Sequence, residues 1–507
     1  MNNKYAFLLL ASLSLGSCTL TEQDARQLHS QAPVSPDVDG ITVPRNLAPL
    51  RLAMADTCSL SSVQAVFESS SSKIIVGADA GELAISIEDW QKLVAAAECV
   101  SVRIQGKDKA GQWVEYDPLT ISVSADDIDP YLSYRLIEPG YEVWDSMGLY
   151  QRELGTYTQK AIVENKQTEG GCMNCHSFRQ NNADDMLFHF RAKCGGTYVI
   201  RDGRIEKLNT KTPETVSALV YPYWHPSGRF VAFSTNITKQ AFHSKDPNRI
   251  EVFDNESDVV IYDTEKHEVF SCPQLKSQAA FETFPCFSAD GKTLYFCSAD
   301  SLNVLKEYDK VQYSLCSIGF DAEAAMSGSL ASAFSATVDT IYNAKRQGGS
   351  ISFPRISPDG RWLMFTRAGY GNFSIWHRDA DLLIADMSNL SDASNPSDSS
   401  RPYIRELTEL NSSEVDSYHS WSSNGRWVVF STRRDDALYT RPYLTHLNDD
   451  GSFTKPFPLP QSDAHFYHRF MKSFNIPEFS VNPVSMPSST IEQCAKTQPG
   501  IDVKYRK

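Results

Sequence analysis

Phe353-Pro354-Arg355-Ile356-Ser357-Pro358-Asp359-Gly360-Arg361-Trp362-Leu363-Met364-Phe365 is an apolar run, a tight turn and a second apolar run. Asp359-Gly360 is a hairpin dipeptide, because glycine reaches the positive φ that such a turn demands. The pattern returns without gaps in Tyr221 through Phe233, Phe284 through Phe296 and Tyr418 through Phe430. The turn glycines fall at 228, 291, 360 and 425, which are 63, 69 and 65 residues apart. One hairpin in every unit of this length means a bladed β array, since each unit must stack on its neighbours to bury its faces.

These stretches resemble the WD40-like repeat of the TolB-type β-propeller family. The resemblance covers roughly residues 170–480. It implies an all-β, six-bladed propeller of four-stranded blades around a channel, occupying 130–480. Five blades begin near residues 172, 221, 283, 352 and 417. The sixth is expected from 130–165, where Tyr131 through Leu136 and Tyr150 through Leu154 read as strands. By the same resemblance the Asp-Gly turns share one face, and the loops joining second to third strands share the other.

Inside the first of these blades stands Cys172-Met173-Asn174-Cys175-His176. Two cysteines three apart with histidine next read as a c-type haem attachment site. The thiols would bond the haem vinyl groups and the imidazole would ligate iron. The expectation is one covalent haem c, with Cys172, Cys175 and His176 as its residues. A zinc half-site, a redox dithiol and a simple disulfide are the alternatives; no second C-x-x-C supports zinc. For the sixth iron position the candidates are His243, His189 and Met186. His243 lies in the long loop from Asn236 to Asp258. His189, aligned from its strand, falls in the column of Phe233, Phe296, Phe365 and Phe430, and a histidine that breaks an aromatic column often marks function. A second histidine suits electron transfer at lower potential, a methionine raises the potential, and an open position allows small-molecule chemistry.

The remaining segments set the context. Lys4 followed by the apolar run Ala6–Leu15 is an export signal, too short to span a bilayer as a mature helix. Leu15-Gly16-Ser17-Cys18 resembles a bacterial lipoprotein box, which implies a signal peptide over 1–17 and lipidation of Cys18. Thr19 then favours the outer membrane by analogy with lipoprotein sorting. Residues 18–50 read as a tether. Residues 51–128 read as a small β domain, best matched by an immunoglobulin-like sandwich, with one short helix between Ile87 and Ala97. Residues 481–507 read as a Pro- and Ser-rich tail. Eight cysteines are left over (58, 99, 194, 272, 286, 297, 316 and 494), with pairing open.

A net charge of −14 argues against a nucleic-acid binder. No Gly-x-Ser-x-Gly elbow or Walker loop is present. The loops carrying His377, Arg378, Asp379, Arg433, Arg434, Asp435, Tyr439 and Arg441 form a polar rim. The expected function is a membrane-anchored, extracytoplasmic haem c propeller for electron transfer or redox sensing, working with a redox partner protein. The alternatives are a scaffold binding envelope protein or glycan, and a peroxidase-like haem enzyme. A fold alone does not choose among them.

Overall fold

The computed structural model describes residues 20–138, 146–246, 248–388 and 402–507. The expected signal peptide and the expected lipidation site Cys18 therefore lie outside the described residues. The fold is mostly β and propeller-like. Six sheets of at least four strands each follow one another around a centre. Their innermost strands are Met173–Arg179, Leu219–Trp224, Ala280–Phe287, Ser350–Ile356, Asp416–Trp421 and Ser473–Ser480. Each packs beside the next, and the last returns to the first, so the ring closes.

The turns show why the repeat folds this way. In four sheets the glycine N–H donates to the carbonyl three residues back, at 2.8–2.9 Å: Gly228 to His225, Gly291 to Ser288, Gly360 to Ser357 and Gly425 to Ser422. Asp290, Asp359 and Asn424 each accept a further backbone N–H from the residue two ahead. The four glycines have φ between 68° and 76°. At Gly291 a Cβ would also run into the His225 ring of the neighbouring sheet. His225 Nε2 in turn lies 3.1 Å from the Gly291 carbonyl oxygen. Gly291→Ala is therefore expected to lose more than about 1 kcal/mol, from strained φ and from collision together. Chemical denaturation would measure this, and Gly360→Ala, whose Cβ meets only ordinary contact, should lose less.

Each innermost strand also carries one non-glycine residue with left-handed φ, between 48° and 56°: Cys175, Tyr221, Phe284, Phe353, Tyr418 and Ile476. In the five sheets with a repeat hairpin, the pairing with the second strand skips at this residue. The bulge turns these side chains into the channel. Tyr221 and Phe284 rings are 4.8 Å apart, Phe284 and Phe353 6.0 Å, and Phe353 and Tyr418 4.9 Å. Together they plug the middle of the ring.

Three expectations about segments are corrected. Strands Tyr131–Ile137, Gly148–Glu153 and Gln159–Glu164 exist, but their innermost partner is Ser473–Ser480 from the far end of the chain. The sheet they form, the first when the six are numbered in chain order, is thus closed by both ends of the repeat region. Residues 18–50 are not a free tether: among those described, Arg26–Gln31, Val34–Ser35 and Thr42–Pro44 are strands. Val38, Ile41, Val43 and Leu47 are fully buried or nearly so, which anchors them to the first domain. Parallel pairing of Arg26–Gln31 with Trp113–Asp117, and of Thr42–Pro44 with Leu119–Ser124, departs from an immunoglobulin sandwich of antiparallel sheets. Residues 481–507 are not a loose tail. Helix Ser488–Thr497 packs on the second sheet, and Ile501–Asp502 and Lys504–Tyr505 cover the outer edges of the second and third sheets. Covered edges are protected from pairing with other chains.

Candidate functional site

Below the plug, on the turn face, the six inner strands enclose a chamber of about 250 Å³. Its wall holds His176, Tyr223, Trp224, Arg355, His419, Trp421 and Glu478. Counting from each bulge residue, the second position lines the chamber in five strands, as Ser177, Tyr223, Arg355, Ser420 and Glu478. The third position, which includes Trp224, Phe287 and Trp421, borders the chamber as well. Trp224 donates its indole N–H to the Ser177 carbonyl at 3.3 Å, and Trp421 donates to that of Arg355 at 3.2 Å, so the rings are fixed.

The polar groups are unequally satisfied. Arg355 lies 3.8 Å over the Phe353 ring and 5.2 Å from that of Tyr223. It donates to the Pro354 carbonyl at 2.8 Å. No carboxylate makes an ion pair with it among the described residues. Glu478 Oε1 accepts the Phe178 N–H at 3.0 Å, and its Oε2 lies 3.9 Å from His176 Nε2. Burial pushes the Glu478 carboxyl up to about 8, although that N–H bond and the Arg355 charge pull the other way. Burial likewise pushes His176 down to about 4 and His419 down to about 3. At neutral pH the chamber wall thus carries one guanidinium, a largely protonated carboxyl and two neutral imidazoles.

The pentapeptide lies in this setting, and its residues diverge. Cys172 sits in the apolar core between the first and second sheets. Cys175 is the second sheet's member of the plug, 3% exposed, and burial pushes its thiol up. His176 is 4% exposed, and its Nε2 has no hydrogen-bond partner among the described residues. The histidine suits an axial ligand. The thiols do not suit a covalent macrocycle: both are enclosed by packed side chains, and neither lines the chamber. As the strand stands, the residues do not fit an attached haem c. No group of three His, Cys, Asp or Glu among the described residues is placed to hold a metal ion.

The candidate sixth ligands are not brought to His176. Met186 is fully buried in the core between sheets. His189 Nδ1 lies 3.3 Å from Thr197 Oγ1. It does not occupy the aromatic column either. Leu187 pairs with Ser177 as Ala232 pairs with Tyr223, so Phe188 matches Phe233 and His189 matches Ser234. Beside Arg179 the pairing jumps from Phe178–Met186 to Arg179–Asn182, so this hairpin does not keep the spacing of the other repeats. His243 is at the tip of the long hairpin formed by Phe230–Phe242 and Ile250–Asp263, 3.7 Å from Glu251. That tip lies on the face opposite the turns, beyond the plug.

The rim residues mostly satisfy one another. His377 and Tyr370 bond Glu251 at 3.2 and 2.7 Å, Arg378 pairs with Glu414, and Arg434 with Asp416. Beneath them Asp254 accepts from Asn236 and Asn372, each at 2.6 Å, and burial pushes it up to about 7. A carboxyl raised in the fold adds stability that is complete below its ordinary range and is lost as pH rises through about 7. Asp254→Asn keeps an acceptor for both amides. It is expected to raise stability at pH 8 by up to about 4 kcal/mol and to flatten the pH dependence between 4 and 7. Melting curves across that range would check it.

Sequence reasoning missed Arg355 and Glu478 as a pair. Ile476-Pro477-Glu478-Phe479-Ser480 repeats Phe284-Pro285-Cys286-Phe287-Ser288, and that match was the available signal.

No family profile matches this chain, and no curated protein does. Among solved structures, an oligogalacturonate lyase in complex with manganese is 10% identical over 64% of this chain and 73% of its own, with a TM-score of 0.34. A dipeptidyl aminopeptidase IV from Bacteroides ovatus is 12% identical over 64% of this chain and 51% of its own, at 0.30. The dipeptidyl peptidase 4 of Porphyromonas gingivalis is 8% identical over 85% and 53%, at 0.29. The chain spans about half the length of those two peptidases. Likeness at this level says nothing of what the chain acts on.

Proposed function

We propose that this chain is a six-bladed, TolB-like propeller, anchored through Cys18 in the cell envelope, that binds an envelope ligand in its turn-face chamber. The supporting observation is the chamber wall itself: Arg355 without an ion-pair partner among the described residues, sharing the cavity with a partly buried Glu478 and with fixed indoles. Concave sites that mix aromatic surface with a few convergent polar groups are the usual form of a ligand site. Trp224 and Trp421 provide the test. Fractions of envelope protein or glycan that contain the ligand should change the indole fluorescence of the wild type. They should leave that of Glu478→Ala or Arg355→Ala unchanged. A response that survives both substitutions would remove the chamber from the reading.

The pentapeptide favours a second reading, covalent haem c serving electron transfer with a redox partner. It requires the strand Met173–Arg179 to be packed differently from what is described above. Expression with haem-maturation machinery decides between them. The packing predicts a colourless protein whose Cys172 and Cys175 are unmodified by mass spectrometry. A c-type absorption spectrum that disappears in Cys175→Ser would establish the second reading.

A further inference from the structure

The chemistry of the chamber narrows its ligand. Arg355 is stacked against Phe353 and Tyr223, borders the cavity, and donates to the Pro354 carbonyl at 2.8 Å. A stacked guanidinium of this kind presents a planar donor fork that matches a carboxylate in two parallel bonds. Among the described residues the wall carries no second guanidinium or ammonium group, so a dianion would be left half-neutralised. Trp224, Trp421 and Phe287 border the same cavity as Arg355 and offer flat apolar surface to the body of a ligand. A cavity of about 250 Å³ suits a small molecule rather than a folded partner.

Glu478 fixes the conditions. The ionisable groups around it are His176 of the second sheet, Tyr223 of the third, Arg355 of the fifth and His419 of the sixth, with Cys286 of the fourth behind Tyr223. Both histidines are neutral above pH 5, because burial holds them near 4 and 3. Once Glu478 ionises it competes for Arg355 and repels a bound anion. Its protonated form does neither and can donate to the ligand.

We infer that the chamber takes a small organic monocarboxylate, its anionic group on Arg355 and its body between the indoles, and that it does so while Glu478 carries a proton. This inference rests on the ligand-binding reading above and specifies it.

Titration calorimetry on the mature chain tests it, with a panel of small carboxylates from acetate to benzoate and glucuronate, each paired with its neutral amide. At pH 6.5 at least one acid should bind, and its amide at least tenfold more weakly. Arg355→Gln should lose at least tenfold in affinity for that acid while melting like the wild type. Between pH 6.5 and 9 the wild-type affinity should fall at least fivefold, and Glu478→Gln should show no such fall. If amides bind as well as acids, the inference is overturned and the chamber remains a ligand site. If neither series binds and envelope fractions leave the indole fluorescence unchanged, both readings fail. If an acid binds equally well to Arg355→Gln, the site is elsewhere and the inference is wrong.

Discussion

A chain truncated after Lys472 is expected to lose cooperative folding altogether. The cut removes Ser473–Ser480, the innermost strand of a sheet whose other three strands come from residues 131–164. Without it Tyr131–Ile137 presents an unpaired edge to the channel, and the ring between Asp416–Trp421 and Met173–Arg179 stays open. Phe474 and Phe479, both essentially unexposed, leave the core as well. Losing a closing strand and its core contacts exceeds the roughly 5–15 kcal/mol that holds a domain folded. A chain cut after Pro483 is the control. It keeps the closing strand and loses the helix and the two edge strands at the C-terminus. That chain should still melt in one transition, at a lower temperature. Circular dichroism during heating distinguishes the two.

Trp427→Ala is expected to destabilise the molecule by about 3–5 kcal/mol, the usual loss for emptying a large aromatic site. Trp427 is fully buried in the sixth sheet and is the largest such side chain in the structure. Its indole N–H donates to the Asp126 carbonyl at 2.9 Å, and its ring lies 4.8 Å from that of His446. His446 Nε2 and Arg426 Nε in turn contact the Asp126 carboxylate at 2.8 and 3.1 Å. The ring belongs to one apolar core that runs from Val43 and Val123 of the first domain to Leu444 and Phe457 of the sixth sheet. The substitution therefore loosens the joint between the domains as well as the sheet. Urea unfolding should show a lower midpoint, with the first domain's transition separating from the rest. Trp362→Ala, also on a second strand but slightly exposed and away from the joint, should lose stability without that separation.

The hairpin repeat was legible because its grammar is local. Gly228, Gly291, Gly360 and Gly425 each need positive φ, and their neighbours Ser288, Asp290, Ser357 and Asp359 hydrogen-bond within a few residues. Four inner strands could be located to within a few residues from that signal alone, and a fifth, Met173–Arg179, by its likeness to them. The sixth escaped because its partners lie more than 300 residues away in sequence. Its Ile-Pro-Glu-Phe-Ser run follows the repeat but lacks the turn that identifies the others. The strands of residues 26–44 escaped for a similar reason: two of them are three residues or shorter, and Arg26–Gln31 and Thr42–Pro44 pair in parallel with strands distant in sequence.

At the site the sequence identified the right strand and the wrong geometry. Cys172, Cys175 and His176 read as one constellation because they are close in sequence. On a strand with a left-handed bulge at Cys175, neighbouring side chains instead leave in different directions: one into a core between sheets, one into the plug, one toward the chamber. His189 shows the same limit, since the irregular pairing beside Arg179 leaves Phe188 in the aromatic column. Arg355 and Glu478 are 123 positions apart and meet only when the ring closes. Pairings of that kind belong to the tertiary fold, and no local pattern announces them.

The most direct measurement is a density map of the mature protein purified from its native host with its ligand retained. The account predicts density inside the chamber, against Arg355 and beside Glu478, with bare thiols at Cys172 and Cys175. An empty chamber together with a macrocycle bonded to those two sulfurs would contradict it.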